Sequence, residues 1–253
     1  PKTRMIMIEA VSNPTLRVAD VTGIAKLAAA HGALLVVDNT FTTPAMFRPM
    51  EHGADIVINS ITKFLAGHSD VTLGYVAARD PGLRTAIYDA AVTWGTTPSP
   101  FDCWLAERGL HTFDLRFEKA QATAAALADA LAGRDGIRQV IYPGRADHPH
   151  HNRAGTLFGG QFGNMLSFEI EGGRDEVNSF VMNAGGIPFA PTLGDVGCTL
   201  SHPASSSHRA LTTEGRAALG ISEGYFRLSV GIEPPELVLA ELDAALAAVR
   251  GES

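Results

Sequence analysis

The segment 34–40 reads Leu-Leu-Val-Val-Asp-Asn-Thr, and the segment 56–63 reads Ile-Val-Ile-Asn-Ser-Ile-Thr-Lys. Each begins with a short apolar run and then turns abruptly polar, at Asp38 in the first and at Asn59 in the second. Bounded apolar runs of this length beside a helical pattern are typical of buried parallel strands. In an open α/β sheet, ligands bind just beyond the carboxyl ends of the strands. The sequence therefore predicts a binding site at the sheet edge that holds Asp38 and Lys63.

The residue types at this edge suit pyridoxal phosphate. A lysine can form a Schiff base with the cofactor aldehyde, an acid can keep the pyridine nitrogen protonated, and hydroxyls such as those of Ser60 and Thr62 can hold the phosphate. Each residue also has a plainer interpretation. Lysines lie mostly at the solvated surface, and an aspartate after a strand is commonly a turn residue or a helix cap. The spacing alone leaves both interpretations open.

Composition limits the class of protein. The 253 residues are 45% hydrophobic, enough for one large domain or two smaller ones. The formal net charge is −7 and no basic block is present, which argues against nucleic-acid binding. No apolar run is long enough to span a membrane. We therefore expect a small-molecule substrate and neither a nucleic-acid nor a membrane partner.

Cysteine and histidine patterns give further expectations. Cys103 and Cys198 are far apart, so two free, buried thiols and a cytoplasmic location are predicted. His148, His150 and His151 have no carboxylate or cysteine at ligand spacing, so we predict a solvated loop and no metal site.

The remaining pattern predicts two domains. Met5 to Ile8 resembles a buried strand, Asp20 is a helix cap, and strands alternate with helices as in a mainly parallel α/β sheet. Residues 100–132 are helical in pattern, and Trp94 and Trp104 near their start are expected in the core. Strands are predicted at 139–142, 165–170 and 226–230, and helices at 177–182 and 237–249. We assign 1–114 to the α/β domain and 115–253 to a C-terminal α+β domain.

The start of the chain is unusual. It opens Pro1-Lys2-Thr3-Arg4, with no initiator methionine, and runs directly into the first apolar segment. We expect an N-terminal portion to be absent from this sequence.

Ordered motifs along nearly the whole chain resemble one family. The chain is similar to the pyridoxal-phosphate enzymes of cysteine and methionine metabolism, which include methionine γ-lyase, cystathionine γ-lyase, cystathionine γ-synthase and O-acetylhomoserine sulfhydrylase. The motifs are Ser-Asn-Pro at 12–14, Val-Asp-Asn-Thr at 37–40, Ser-Ile-Thr-Lys at 60–63, Gly-His-Ser-Asp at 67–70, Leu-Gly-Asp at 193–195, His-Pro-Ala-Ser at 202–205 and Arg-Leu-Ser-Val-Gly at 227–231.

The resemblance implies a fold and an assembly. The expected fold is type I, like that of aspartate aminotransferase, with a large cofactor domain and a smaller C-terminal domain. The expected assembly is a homotetramer, a dimer of dimers. Relatives carry roughly another third of their length before the position of Pro1.

The resemblance also implies residue roles. Lys63 resembles the Schiff-base lysine and catalytic residue, and Asp38 resembles the partner of the pyridine nitrogen. Ser60 and Thr62 match phosphate ligands, and Asn13 matches a residue near the ring hydroxyl. Two further residues match the substrate site: Arg227, whose planar fork suits a carboxylate, and Thr192, where relatives usually carry serine.

The implied reaction is γ-elimination or γ-replacement on a sulfur-containing or O-acylhomoserine amino acid. A synthase of the sulfhydrylase or cystathionine γ-synthase type is an alternative. A third possibility keeps the cofactor but changes the reaction, for example to β-elimination or to a specialised carbon–carbon bond formation. In another class, the chain is a non-catalytic or truncated relative that acts as an oligomerisation partner.

Overall fold

The structure is a computed structural model that describes residues 2–252, so Pro1, on which the expectation of a missing N-terminal part rests, lies outside the described residues. The elements are β1 (Met5–Glu9), α1 (Val21–Ala30), β2 (Leu34–Asp38), α2 (Thr43–Met46), β3 (Ile56–Ser60), β4 (Gly74–Ala78), α3 (Pro81–Trp94), α4 (Pro100–Leu110), α5 (Phe113–Leu131), β5 (Ile137–Ile141), α6 (His151–Leu157), β6 (Met165–Ile170), α7 (Arg174–Asn183), β7 (Thr199–Ser201), α8 (Thr213–Leu219), β8 (Tyr225–Ser229) and α9 (Pro235–Val249).

The first sheet has the strand order β1-β2-β3-β4. Strands β1, β2 and β3 pair in parallel, whereas β4 runs antiparallel to β3. Helix α1 starts as the sequence predicts, because the Asp20 side chain accepts a hydrogen bond from the Gly23 N–H at 3.0 Å. This mainly parallel sheet with helices confirms the predicted α/β class.

The prediction that β1 is buried was wrong. Met5 and Met7 are 51% and 61% exposed. The strand lies at the edge of its sheet, and side chains alternate between the two faces of a strand, so one face of β1 is covered and the other is not.

The second sheet, ordered β5-β6-β8-β7, is antiparallel throughout. Its inner face meets α5, α7 and α9 around a cluster of Phe168, Phe180 and Phe226, which are fully buried. The prediction of an α+β C-terminal part is confirmed, although α6, α8 and the short β7 were not predicted.

Helix α5 joins the two hydrophobic cores. Phe113 and Phe117 pack in the core of the first sheet, whereas Leu127 and Leu131 pack in the core of the second. The proposed boundary between residues 114 and 115 falls after the first two residues of this helix and stays a prediction.

Three further sequence expectations were wrong. Trp94 and Trp104 are 82% and 55% exposed, because α3 has no buried residue and α4 carries its tryptophan on an outer face. Cys103 is exposed on α4, while Cys198 is buried as predicted. His148 is buried, since its loop folds back against the segment near Leu16.

Within residues 2–252, no helix combines the length and apolar character needed to cross a bilayer.

Candidate active site

The carboxyl ends of the parallel strands place two acids side by side. Glu9 and Asp38 are direct register partners at the ends of β1 and β2. Asp38 is held by the Thr40 N–H, which donates to its Oδ1 at 2.9 Å, and the Thr40 Oγ1 in turn accepts from the Ser60 N–H at 3.0 Å. The ends of β2 and β3 are thereby joined, as expected from the two polar stretches in the sequence.

Glu9 was not predicted as part of the site. Although its side chain is exposed by area, nearby protein atoms displace water from the carboxylate and raise its pKa, and the charge of Asp38 raises it further. Tyr75 on β4 also lies near Asp38. Burial raises the pKa of Tyr75, and the charge of Asp38 raises it further. Glu9 could have been found from the sequence, since it follows an apolar run just as Asp38 does.

Lys63 lies in the turn that follows β3 and is half-buried. Its Nζ donates to the Oγ1 of Thr192 at 3.4 Å. Burial lowers the pKa of Lys63, and the positive charge of Arg227 lowers it further. The structure therefore brings together Lys63, Thr192 and Arg227, which are far apart in the sequence.

Arg227 lies on β8 and is only 5% exposed. One Nη donates to the Oδ1 of Asn13 at 2.8 Å and the other to the Thr192 carbonyl at 2.7 Å. Both partners are neutral, and the buried Nε has no hydrogen-bond partner in the described part of the chain. Burial lowers the pKa of Arg227 to about 10. A buried cation with a free donor favours binding of an anion.

The loop after Thr192 approaches the backbone of Lys63 closely. Gly194 has a φ of +85°, and a Cβ added there would lie 2.7 Å from the carbonyl carbon of Lys63. The Gly194 N–H donates to the buried Ser229 hydroxyl at 2.9 Å, which fixes the loop on β8. Only glycine satisfies both the positive φ and the close approach.

The two predicted phosphate ligands differ in their surroundings. The Thr62 hydroxyl donates to the Leu73 carbonyl at 3.0 Å and accepts from the Leu73 N–H at 2.9 Å, so it already holds the start of the next segment. The backbone of Ser60 is fixed by Thr40, while its partly exposed hydroxyl makes no hydrogen bond within residues 2–252. Of the two, Ser60 is the freer donor.

The residues present fit the cofactor that the sequence implies. Lys63 offers a half-buried amine, and Asp38 offers an oxygen beyond the one bound by Thr40. The buried Nε of Arg227 has no hydrogen-bond partner within residues 2–252, and the guanidinium lies close enough to Lys63 to lower its pKa. An amine and a carboxylate at the edge of the first sheet, with a buried guanidinium from the second sheet near the amine, are the groups that pyridoxal phosphate and an amino acid require.

Comparisons with known proteins agree with this geometry. The chain is 42% identical to the cystathionine beta-lyase MetC of Bacillus subtilis over 97% of its length and 40% identical to the L-methionine gamma-lyase of Pseudomonas putida over 98%. Its fold matches the crystal structure of cystathionine gamma synthase from Xanthomonas oryzae pv. oryzae, with a TM-score of 0.94, 44% identity and 99% coverage of this chain.

The chain spans 63%, 61% and 64% of the lengths of these three proteins, respectively. The family model described as Cys/Met metabolism PLP-dependent enzyme matches residues 1–247. The chain therefore belongs to the family of Cys/Met metabolism PLP-dependent enzymes.

Proposed function

We propose that this protein catalyses elimination or replacement of a γ-substituent on a sulfur-containing or O-acylhomoserine amino acid, with pyridoxal phosphate as cofactor. The observation that carries the proposal is the connection of Lys63 to Arg227 through Thr192. This arrangement holds an amine and a carboxylate-binding guanidinium at the two ends of one small site. The names of the relatives, which include cystathionine and methionine lyases, support the substrate class.

The cofactor is held by residues of the first sheet. Lys63 would hold the cofactor aldehyde covalently, Asp38 would hold the ring nitrogen, and Asn13 would hold the ring hydroxyl. Ser60 would donate to the phosphate, with Thr62 beside it. When bound, pyridoxal phosphate supplies a protonated ring that accepts the electron pair left at Cα after proton removal. The carboxylate of Asp38 keeps that ring nitrogen protonated by its opposite charge.

The substrate is held by residues of the second sheet. Arg227 binds the α-carboxylate, for which its free Nε and its low solvent exposure are suited. The free amine of Lys63 would act as the general base that takes the Cα proton. Its lowered pKa serves this role, because a larger fraction of the amine is neutral near pH 7. Thr192 keeps the amine directed to that position through its hydroxyl.

The second candidate function is β-elimination on the same class of amino acid. The first relative above is named a cystathionine beta-lyase, which favours β-elimination as the alternative reaction. The described residues hold the Cα end of the substrate, which is common to β- and γ-chemistry. The other class of function, a non-catalytic oligomerisation partner, is disfavoured by the retained Lys63, Asp38 and Arg227.

The test combines product analysis with one substitution. The protein is incubated with cystathionine, methionine and O-acetylhomoserine, each with and without added thiol, and the products are identified by mass. We expect keto acid or a thioether product, and we expect Lys63→Ala to abolish turnover and labelling by borohydride. Lys26→Ala, at an exposed position of α1, is the matched control. Substantial turnover by Lys63→Ala would overturn the proposal.

We also propose a homotetramer in the cytoplasm. The assembly is supported by α3, none of whose residues is buried, and by its exposed Tyr88 and Trp94, at 69% and 82% exposure. The compartment is supported by the two free cysteines. Analytical ultracentrifugation of the purified protein measures the assembly, and a monomer at all concentrations would contradict it.

A further inference from the structure

The turn that carries Lys63 is bound by an arginine from a distant helix. Arg116 of α5 donates from Nη1 to the Phe64 carbonyl at 3.0 Å and from Nη2 to the Leu65 carbonyl at 3.1 Å. The same Nη2 donates to the Gly109 carbonyl at the end of α4, at 2.9 Å. The two carbonyls that directly follow Lys63 thus share one guanidinium with the end of a helix.

The backbone of this turn is shaped around the guanidinium. Gly67 has a φ of +77°, and a Cβ added there would lie 2.1 Å from Nη1 of Arg116. Gly109 approaches from the other side, where an added Cβ would lie 2.4 Å from the Ala66 carbonyl oxygen. Arg116 itself is anchored by its Nε, which donates to the Thr112 hydroxyl at 3.1 Å. The contact therefore requires glycine at positions 67 and 109 and an arginine side chain whose orientation is fixed by Thr112.

The loop of the substrate site binds the far end of the same turn. The Val196 N–H donates to the Gly67 carbonyl at 2.8 Å, and the Ser69 hydroxyl donates to the Asp195 carboxylate. Ser69 has a φ of +54°, a strained value for a residue other than glycine. Burial lowers the pKa of Arg116, and the nearby charge of Asp195 opposes this effect. The turn is thus held between Arg116 on one side and the 194–196 segment on the other.

We propose that Arg116 is a positioning residue for Lys63: by binding the carbonyls of Phe64 and Leu65, it sets where the lysine amine lies relative to Thr192 and Arg227. The hydrogen bonds of Arg116 go to backbone carbonyls and to the Thr112 hydroxyl, so it acts on the Lys63 amine only through the turn. This role rests on the proposed function for its catalytic consequence, but its structural part, the order of the 64–67 turn, does not depend on any bound group.

The first measurement is hydrogen–deuterium exchange of the amides of residues 64–67 in protein freed of cofactor. The variants are Arg116→Ala and Arg116→Lys, because lysine keeps the charge but lacks the planar fork that reaches two carbonyls. Arg145→Ala is the control. Arg145 is also an arginine with little exposed side chain, and it donates to a helix carbonyl, that of Ala128, away from Lys63. We expect faster exchange in both Arg116 variants and unchanged exchange in the control.

The second measurement is on the cofactor-loaded protein. A misplaced lysine should lower kcat about 10- to 100-fold, as expected for an error of about 1 Å in a reacting group. We expect KM to change less, because Arg227 remains, and the pH midpoint of the visible Schiff-base band to shift. Added guanidinium ion should restore part of the kcat of Arg116→Ala and none of that lost in a Lys63 variant.

The outcomes separate the two proposals. Unchanged exchange and unchanged kcat in both Arg116 variants, with wild-type activity intact, would overturn the role of Arg116 alone. The protein could also show no cofactor band while exchange is faster in the Arg116 variants. That result would support the ordering of the turn by Arg116 and refute the proposed function. If Arg116→Ala fails to fold, Arg116→Lys decides, and normal exchange with normal kcat in that variant would refute the need for the fork.

Discussion

The Nζ atom of Lys63 lies 3.4 Å from the Oγ1 atom of Thr192. The carbonyl of the same threonine accepts a hydrogen bond from Arg227 at 2.7 Å, so one residue contacts both the proposed base and the proposed carboxylate-binding group. Threonine has a stiff side chain because it is branched at Cβ. Its hydroxyl therefore limits the positions available to the lysine amine.

This contact predicts unequal effects of two substitutions. Thr192→Val removes the hydroxyl but keeps the shape, and we expect kcat to fall about 10-fold or more, since a single hydrogen bond at a reacting group contributes about 1–2 kcal/mol. Thr192→Ser keeps the hydroxyl and should stay within a few-fold of wild type. Steady-state kinetics of both variants measure the difference. Equal kcat values for valine and serine would contradict a role of the hydroxyl.

Asp38 is predicted to act through its charge. Asp38→Asn keeps the size and the hydrogen bond from the Thr40 N–H, but it removes the charge proposed to hold the ring nitrogen protonated. We expect kcat to fall by about 100-fold or more, because one lost charge–charge contact is worth several pKa units at a shielded site. Asp20→Asn, at the cap of α1, is the control and should retain kcat, since asparagine is also a good cap. A normal kcat for Asp38→Asn would refute the assignment.

Gly194 is predicted to tolerate no side chain. Gly194→Ala places a methyl group 2.7 Å from the Lys63 carbonyl carbon, in addition to the strain of a φ of +85°. The matched control is Gly133→Ala, which has a φ of +86° and nothing within 4 Å of the added Cβ. We expect both to lose about 1 kcal/mol of stability from the backbone strain, and only Gly194→Ala to lose most of its activity. Thermal unfolding and kcat measured together separate the two effects.

His148 predicts a pH dependence of stability. Burial lowers the pKa of His148 from 6.5 to about 4, with the neighbouring charge of His150 contributing. Its Nδ1 accepts from the His150 N–H at 3.1 Å, a bond that requires the neutral ring nitrogen. The unfolded chain binds the proton more readily, so the free energy of unfolding should fall as the pH drops from about 6.5 towards about 4.

The comparison for this prediction is His148→Gln, in which no proton is taken up at that position. We expect a smaller loss of stability than in wild type over the same pH range, measured by chemical denaturation at fixed pH values. His31→Gln, at an exposed position, should keep the wild-type slope. Parallel slopes for His148→Gln and wild type would show that the histidine is not the group responsible.

Much of the site follows from local patterns. An apolar run that ends in Asp38 and another that leads to Lys63 specify strands and their ends, because burial favours continuous apolar segments and polar groups must leave the core. The parallel pairing of β2 and β3 then places both ends at one edge. Residue order along the chain was sufficient for this part of the prediction.

The same patterns failed where exposure depends on which elements cover one another. Trp94 and Trp104 were expected in the core, yet both lie on outer faces of α3 and α4. A large apolar side chain favours burial, but a sequence does not specify whether a neighbouring element covers that face. Cys103 was placed wrongly for the same reason.

Local sequence patterns thus specified the strands, the α/β class and the presence of Asp38 and Lys63 at one sheet edge, since these depend on residues close together in the chain. The contacts of Arg116 with the Lys63 turn, and of Thr192 with Lys63, join residues separated by more than 50 and more than 100 positions. Such contacts arise only after the two sheets and α5 pack together, because the chain must first close long loops before these groups can meet.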